Sequence, residues 1–154
     1  MLYVICRKLR PEAVVETGVA SGISSSYILC ALEVSGKGRL YSIDLPRGAT
    51  GESGWLIPDY LRHRWQLHEG SSSEKLPPLL EKLGEIDIFF HDSDHSYRNM
   101  VREFETAWTY LKSGGLLLSH NIDYNDAFSD FCRDKGVKGI SLGSTGGAIK
   151  PAVL

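Results

Sequence analysis

The sequence predicts an α/β fold: a seven-stranded, mostly parallel, doubly wound sheet whose last two strands form an antiparallel hairpin. Short β-rich runs alternate along the chain with longer amphipathic runs. The β-rich runs are continuously apolar, which is typical of parallel strands buried between helices on both faces. After Val137, two short strand-like pieces flank the letters GSTGG, and this arrangement indicates the hairpin.

Five strands are expected before the hairpin. The fourth is the most hydrophobic and is expected at the centre of the sheet. In chain order, the five strands are expected at residues 13–19, 39–45, 65–70, 85–93 and 114–121.

Helices are expected in the intervals between the strands. The clearest covers residues 97–111, where one apolar stripe is formed by Met100, Val101, Phe104, Trp108 and Leu111. Another is expected to start near Pro77 and Pro78, because proline is tolerated in a first helical turn, where the N–H groups are unpaired. The remaining helices are expected at 24–35, 55–64 and 124–135, and the glycine-rich segment 46–54 is expected to be a mobile loop.

Composition argues against several classes of protein. The chain has 154 residues and fits one domain, 1–154, since domains commonly run about 100 to 200 residues. A formal net charge of −2 without a basic run argues against nucleic acid as the main partner. No stretch approaches the roughly 18 apolar residues of a membrane span, so no membrane association is expected. The cysteines, Cys6, Cys30 and Cys132, form no CxxC pair, and the cytoplasm is the expected compartment.

The stretch VVETGVASGISSS, residues 14–26, carries the first functional signal. In an open parallel sheet, ligands bind at the carboxyl ends of the strands, and this stretch is the first such end. Gly18 and Gly22 allow positive φ and a close approach of a ligand to the backbone, but the GxGxxG spacing of dinucleotide sites is absent. The Glu16 carboxylate would repel a pyrophosphate and attract an ammonium or sulfonium group. These features indicate S-adenosylmethionine as the cofactor.

VVETGVASG resembles motif I of the class I S-adenosylmethionine-dependent methyltransferases, and the resemblance extends over nearly the whole chain. FFHDSDHSY is similar to the signature of a small-molecule O-methyltransferase branch that includes cephalosporin-hydroxylase-like and macrolide-sugar methyltransferases. EGSSSE, LKSGGLLLSHN and the terminal hairpin resemble further family features in the same order. The resemblance implies a Rossmann-like fold and methyl transfer to a small-molecule acceptor, most simply to a hydroxyl oxygen.

The resemblance also implies a set of cofactor-binding residues. Asp44, at the end of the second strand, would bind both ribose hydroxyls, since a carboxylate can accept from two vicinal hydroxyls at once. Ser71 or Ser72 would contact the adenine, although serines at such turns also act as helix N-caps. The complete set is Glu16, Gly18, Ala20, Ser21, Gly22, Asp44, Leu45, Gly70, Ser71, Ser72 and Asp92.

His95 and Asp92 are the predicted catalytic residues. Histidine titrates near neutrality and can take a proton from a hydroxyl group, and the resemblance gives His95 this role as general base. A structural role, in which His95 caps the following helix or bonds Asp92, stays open. His91 is expected to be structural, because it should point to the side of the strand opposite Asp92.

A metal site is a separate question. Related O-methyltransferases often bind Mg²⁺ at positions that correspond to Asp92, His120 and Asn121. Here His120 replaces a carboxylate, and imidazole is a poor ligand for Mg²⁺, which prefers oxygen. Either no metal binds, or the site takes a softer ion such as Mn²⁺ or Zn²⁺, or His120 is itself the base. The sequence does not favour a divalent metal, although it allows one.

Two other functions stay open: a non-catalytic module that binds S-adenosylmethionine, and a nicotinamide-dependent oxidoreductase, which Glu16 and the glycine spacing disfavour. Only about a dozen residues precede the first strand, whereas family members usually carry an extension that covers the substrate. The acceptor pocket is therefore expected to be open, formed by a second subunit, or covered by the segment 46–54. A homodimer is a hypothesis from this argument.

Overall fold

The structure is a computed structural model that describes residues 1–46, 48 and 51–152. Within these residues the strands are β1 (Ala13–Thr17), β2 (Arg39–Asp44), β3 (Trp65–Glu69), β4 (Ile86–His91), β5 (Leu111–Ser119), β6 (Gly139–Leu142) and β7 (Thr145–Ile149). The α-helices are α1 (Leu2–Leu9), α2 (Ile23–Ser35), α3 (Ser72–Leu83), α4 (Tyr97–Tyr110) and α5 (Ala127–Asp134), and a 3₁₀-helix covers Asp59–Arg64.

The described strands form one sheet in the order β3-β2-β1-β4-β5-β7-β6. Strands β1 to β5 run parallel, and β7 lies antiparallel between β5 and β6. The predicted fold class and its terminal hairpin are therefore confirmed. Chain order reverses between β1 and β4, which are adjacent in the sheet, and their carboxyl ends form the crevice in which such sheets bind ligands.

Helices cover both faces of the sheet. On one face, α3, α4 and α5 pack around Phe89, Phe104 and Phe128. On the other face, α1 and α2 pack around Leu29, Leu32 and other buried residues. Because strands buried on both faces must be apolar throughout, these two cores account for the continuous hydrophobic runs in the sequence.

The predicted start of α3 is wrong. The helix begins at Ser72, so Pro77 and Pro78 lie in its middle instead of its first turn. Each proline removes one backbone hydrogen bond of the helix and crowds the preceding turn. Three leucines on one face compensate by burial in the core, Leu76, Leu79 and Leu80, while both prolines are exposed.

Several other boundaries differ from the prediction. Helix α1 was not predicted: it is short, and Cys6 is its one buried residue within the described chain. Strand β5 begins at Leu111, directly after α4, and a register shift lies where it pairs with β4. Helix α5 begins at Ala127 instead of residue 124, and the segment predicted as a helix at 55–64 is helical only as the 3₁₀ turn from Asp59.

The segment predicted as a mobile loop includes Arg47, Ala49 and Thr50, which lie outside the described residues. The far end of this segment is fixed, since the Gly54 N–H donates to the Ala20 carbonyl at 2.9 Å and Ser53 is buried. Across the described part of the chain, no helix combines the length and the apolar character needed to cross a bilayer.

Candidate functional site

The loop after β1 turns tightly against the end of β4. Gly18, Ala20 and Gly22 all have positive φ, at 83°, 50° and 89°. A Cβ atom on Gly18 would lie 2.1 Å from the carbonyl oxygen of Asp92, and one on Gly22 would lie 2.7 Å from Ile57 Cγ1. The positive φ predicted for Gly18 and Gly22 is confirmed. The atoms that leave no room for a Cβ at these two positions belong to the protein itself and not to a ligand.

Glu16 lies beneath this loop and has no exposed surface. Its carboxyl group accepts hydrogen bonds from the hydroxyls of Ser24 and Ser25, each at 2.6 Å, and of Ser42 at 2.8 Å. Burial raises the pKa of Glu16 to about 7, against the lowering effect of these hydrogen bonds. Glu16 thus joins the first turn of α2 to β2, and it can act on a ligand through the loop that it supports, without direct contact.

A cleft of about 480 Å³ opens at the carboxyl ends of β1, β2 and β4 and is called the first cleft below. Most of the predicted cofactor-binding residues line it: Gly18, Ala20, Asp44, Leu45, Gly70, Ser71, Ser72 and Asp92. Glu16 and Gly22 are not among its lining residues, and Ser21 faces a different cleft. The predicted residues therefore assemble at one site, with these three exceptions.

Other lining residues were not predicted from the sequence: Ile43, Ser73, Ser93, Asp94, Asn99 and Arg102. Asn99 and Arg102 lie three residues apart at the start of α4, so they occupy the same face of that helix. Their spacing, next to the apolar stripe of α4, is the sequence feature from which these two lining residues could have been predicted. Ser96 is the N-cap of α4, since its hydroxyl accepts from the Asn99 N–H, so His95 does not have that role.

The first cleft is acidic. Three carboxylates line it, from Asp44, Asp92 and Asp94, against the single guanidinium of Arg102. Asp44 Oδ2 accepts from the Ala20 N–H at 3.1 Å and the Ser53 hydroxyl at 2.6 Å. This arrangement attracts a positively charged ligand and disfavours a pyrophosphate, because the nearby fixed charges are mostly negative.

Asp92, His95 and His120 form a cluster at the end of β4. The Nδ1 atom of His120 lies 2.9 Å from Asp92 Oδ1, and the Nε2 atom of His95 lies 3.6 Å from the same oxygen. The Nε2 atom of His95 is buried and has no hydrogen-bond partner among the described residues. Burial, followed by the charge of nearby His91, lowers the pKa of His95.

Behind this cluster lies a buried network centred on Glu103. Its Oε2 accepts from the Thr17 hydroxyl at 2.6 Å and lies 2.7 Å from His91 Nδ1, while its Oε1 accepts from Ser93 at 2.8 Å and from Asn99 at 3.0 Å. Burial raises the pKa of Glu103, but the hydrogen bond with His91 and the other partners outweigh it, so the net pKa is lowered. His91 is buried and structural, as predicted. Glu103 holds the ends of β1 and β4 and the start of α4 together.

The cluster fits Mg²⁺ poorly. One carboxylate oxygen and two imidazole nitrogens, from Asp92, His95 and His120, lie within 4.8 Å of one another. Mg²⁺ prefers oxygen ligands in an octahedral arrangement, whereas a set with two imidazoles suits softer ions. Asn121, the third residue of the predicted set, has a left-handed backbone with φ 51°. In the predicted set only Asp92 and Asn121 carry side-chain oxygens, whereas His120 offers a nitrogen.

A second cleft, of about 310 Å³, lies on the other side of the loop after β1. Ala20 and Asp92 line both clefts, so the two spaces meet at these residues. The walls of the second cleft are mainly apolar, with Leu2, Val19, Ile23, Tyr27 and Phe90 among them. His120 lines the second cleft, whereas His95 lines neither of the two.

The sheet order, the turn after β1 and the cleft at the switch point together define a class of protein, the Rossmann-like methyltransferase fold. The sequence matches the methyltransferase domain family over residues 15–122, more than half of the chain, and the chain belongs to this family. No curated protein matches the sequence significantly.

Solved structures have the same fold. The O-methyltransferase TomG from Streptomyces achromogenes, involved in tomaymycin synthesis and solved with S-adenosylmethionine (SAM), is 19% identical with a TM-score of 0.78; the match covers 98% of this chain and 78% of TomG. Cofactor-bound Rv0187 from MTB is 17% identical with a TM-score of 0.77, covering 96% and 77%. An O-methyltransferase from Bacillus cereus in complex with SAH is 16% identical with a TM-score of 0.69, covering 97% and 79%.

Proposed function

We propose that this protein transfers a methyl group from S-adenosylmethionine to a hydroxyl oxygen of a small molecule. The observation that carries the proposal is the acidic first cleft at the reversal of strand order, lined by Asp44, Asp92 and Asp94. A ligand that carries a sulfonium and an ammonium group complements this charge, whereas a dinucleotide does not. Family membership and the cofactors held by the structural relatives support the same assignment.

Different residues of the first cleft would contact different parts of the cofactor. Asp44, at the end of β2, would accept from both ribose hydroxyls, which requires the Ser53 hydroxyl to share or leave its 2.6 Å contact. Gly70, Ser71 and Ser72 would lie beside the adenine. The loop that includes Gly18 and Ala20 would hold the methionine part, with Asp92 beside it. When bound, S-adenosylmethionine supplies a methyl group that is already activated for displacement.

The protein has to align the acceptor and remove its proton. His95, the base implied by the family resemblance, stays a prediction, and its buried Nε2 lies outside both clefts. His120 is better placed, because it lines the second cleft and its Nδ1 is hydrogen-bonded to Asp92. That bond fixes the ring and leaves Nε2 to accept a proton, as in other aspartate–histidine pairs. We therefore assign the base to His120, with Asp92 as its orienting partner.

The test is a binding and turnover experiment. Calorimetry with S-adenosylmethionine, S-adenosylhomocysteine and NAD should give binding for the first two and none for NAD. A screen for S-adenosylhomocysteine release, with hydroxylated metabolites and with or without divalent metals, should then give turnover. Tight NAD binding would support an oxidoreductase, and cofactor binding without turnover on any acceptor would support a non-catalytic module.

His120→Asn and His95→Ala separate the two candidate bases. The asparagine can still donate to Asp92, so cofactor affinity should be retained while kcat falls about 100-fold or more. His95→Ala should have a smaller effect on kcat. His63→Asn is the matched control, because His63 is exposed and lines neither cleft. Full activity of His120→Asn together with loss of activity in His95→Ala would assign the base to His95.

A further inference from the structure

We propose that the second cleft binds the methyl acceptor and selects an uncharged, largely apolar hydroxyl compound such as a phenol or an alcohol. This inference rests on the proposed methyl transfer and names the substrate class of that reaction. It depends on three properties of the second cleft: its position, the chemistry of its walls and its size.

The position of the second cleft suits an acceptor. It meets the first cleft at Ala20 and Asp92, so a group bound in one cleft can react with a group bound in the other. His120 lines the second cleft, at hydrogen-bond distance from Asp92. An acceptor hydroxyl at the junction therefore has a methyl donor on one side and a base on the other.

The walls of the second cleft disfavour anions. None of the residues that the structure places around it is a lysine or an arginine, and Asp92 is its one carboxylate. A carboxylate or phosphate on the acceptor would leave water without gaining a lysine or arginine side chain as its partner, which is costly. Apolar side chains such as Val19, Ile23 and Phe90 instead favour an aromatic or aliphatic body.

The volume of the second cleft limits the size of the acceptor. Small-molecule pockets commonly have volumes of about 300 to 1,000 Å³, and the second cleft, at about 310 Å³, is at the lower end of that range. We therefore expect a compound with one or two rings, or an alcohol of similar bulk.

The residues around the junction account for the proton and the charge in the methyl-transfer step. The acceptor oxygen forms the new bond to the methyl carbon, and the bond between that carbon and sulfur breaks with its electron pair left on sulfur. The hydroxyl proton moves to Nε2 of His120. The sulfonium charge is thereby replaced by an imidazolium charge next to Asp92, which stabilises it.

The first experiment measures binding. With the protein saturated with S-adenosylhomocysteine, methyl 4-hydroxybenzoate and 4-hydroxybenzoate form a matched pair that differs in one negative charge. The uncharged ester should bind at least about tenfold more tightly than the acid, and it should shift the NMR signals of Ile23 and Tyr27. Tighter binding of the acid, or binding of either compound without shifts at these residues, would overturn the proposal.

The second experiment reverses the charge preference. Ile23 is the first residue of α2, is exposed, and lines the second cleft. Ile23→Lys should weaken binding of the ester and strengthen binding of the acid, with S-adenosylhomocysteine affinity unchanged. Val34→Lys is the matched control, since Val34 is exposed on the same helix but lines neither cleft. Equal effects of the two lysines on the acid would contradict the proposal.

The outcomes separate this inference from the proposed function. If S-adenosylhomocysteine fails to bind, the proposed function fails. If it binds and neither hydroxybenzoate perturbs the second cleft, or turnover is found only with anionic acceptors, the acceptor assignment fails while methyl transfer stands.

Discussion

Gly18 lies against the backbone of Asp92 so closely that a Cβ on Gly18 would stand 2.1 Å from the Asp92 carbonyl oxygen. The Asp92 N–H also donates to the Thr17 carbonyl at 2.8 Å. These contacts hold the turn after β1 to the end of β4. The residue with the candidate catalytic carboxylate is therefore positioned by the loop that lines the first cleft.

Gly18→Ala should destabilise the protein strongly. The backbone cannot easily yield to a contact of 2.1 Å, and the positive φ adds further strain, so we expect a loss of about 4 kcal/mol or more in the free energy of unfolding. Gly36→Ala is the control, because Gly36 has φ 70° and nothing within 4 Å of the added Cβ; it should cost only about 1 to 2 kcal/mol. Urea denaturation of both variants measures the difference, and equal losses would contradict the close contact.

Glu16 should make stability depend on pH. Burial raises its pKa from an ordinary value of 4.5 to about 7. Between these values the folded protein holds a proton that the unfolded chain has lost, so stability falls as the pH rises through this window. Between about pH 5 and about pH 7.5 the free energy of unfolding should decrease by roughly 2 kcal/mol because of Glu16.

Glu16→Gln should remove that part of the pH dependence. The amide does not titrate, so the difference in unfolding free energy between wild type and variant should change by roughly 2 kcal/mol over the same window, in favour of the variant at higher pH. Other titrating groups, such as His95, contribute equally to the pH dependence of stability in both proteins, so their contributions cancel in the comparison. Parallel stability curves for the two proteins would show that Glu16 is ionised in the fold.

Glu103→Gln tests the buried network. Four side chains, those of Thr17, His91, Ser93 and Asn99, contact the Glu103 carboxylate. Loss of its charge and of one acceptor oxygen should cost about 3 kcal/mol. Glu105→Gln on the same helix removes only an exposed pair with Lys135 and should cost less than about 1 kcal/mol. Thermal unfolding in buffer near neutral pH distinguishes the two, and similar losses would argue against the network.

Asp44→Asn should weaken cofactor binding. Hydrogen bonds from two ribose hydroxyls to a charged acceptor would be lost or weakened, so affinity for S-adenosylhomocysteine should fall about 10- to 100-fold. Glu69→Gln is the control, because Glu69 ends the neighbouring strand in register with Asp44 but does not line the first cleft. Calorimetry measures both, and an unchanged affinity of Asp44→Asn would place the ribose elsewhere.

The sequence predicted the fold and much of the first cleft, because both depend on local patterns. Apolar runs identified the strands, and the residues at strand ends, such as Asp44 and Asp92, meet at one edge in any parallel sheet. The sequence did not predict the buried network of Glu103, because an acidic residue in a helical pattern is normally expected to face solvent. Its buried partners come from β1, β4 and α4, and this proximity depends on the fold. The start of α3 was missed for a related reason: burial of Leu76 and its neighbours outweighs the local preference of Pro77.

The roles of individual residues depend on distances that a sequence does not contain. Glu16 was expected to hold a cationic ligand through the loop after β1, but the sequence did not show that three serine hydroxyls donate to its carboxyl group. His120 was one of several alternatives, and its hydrogen bond to Asp92 and its place in the second cleft now favour it as the base.

The most direct measurement is a crystal structure of the protein soaked with S-adenosylmethionine. We expect density in the first cleft, with the ribose hydroxyls on the Asp44 carboxylate and the methyl group at the junction beside Ala20 and Asp92. A vacant first cleft at saturating ligand, or a ribose bound away from Asp44, would contradict the central claim.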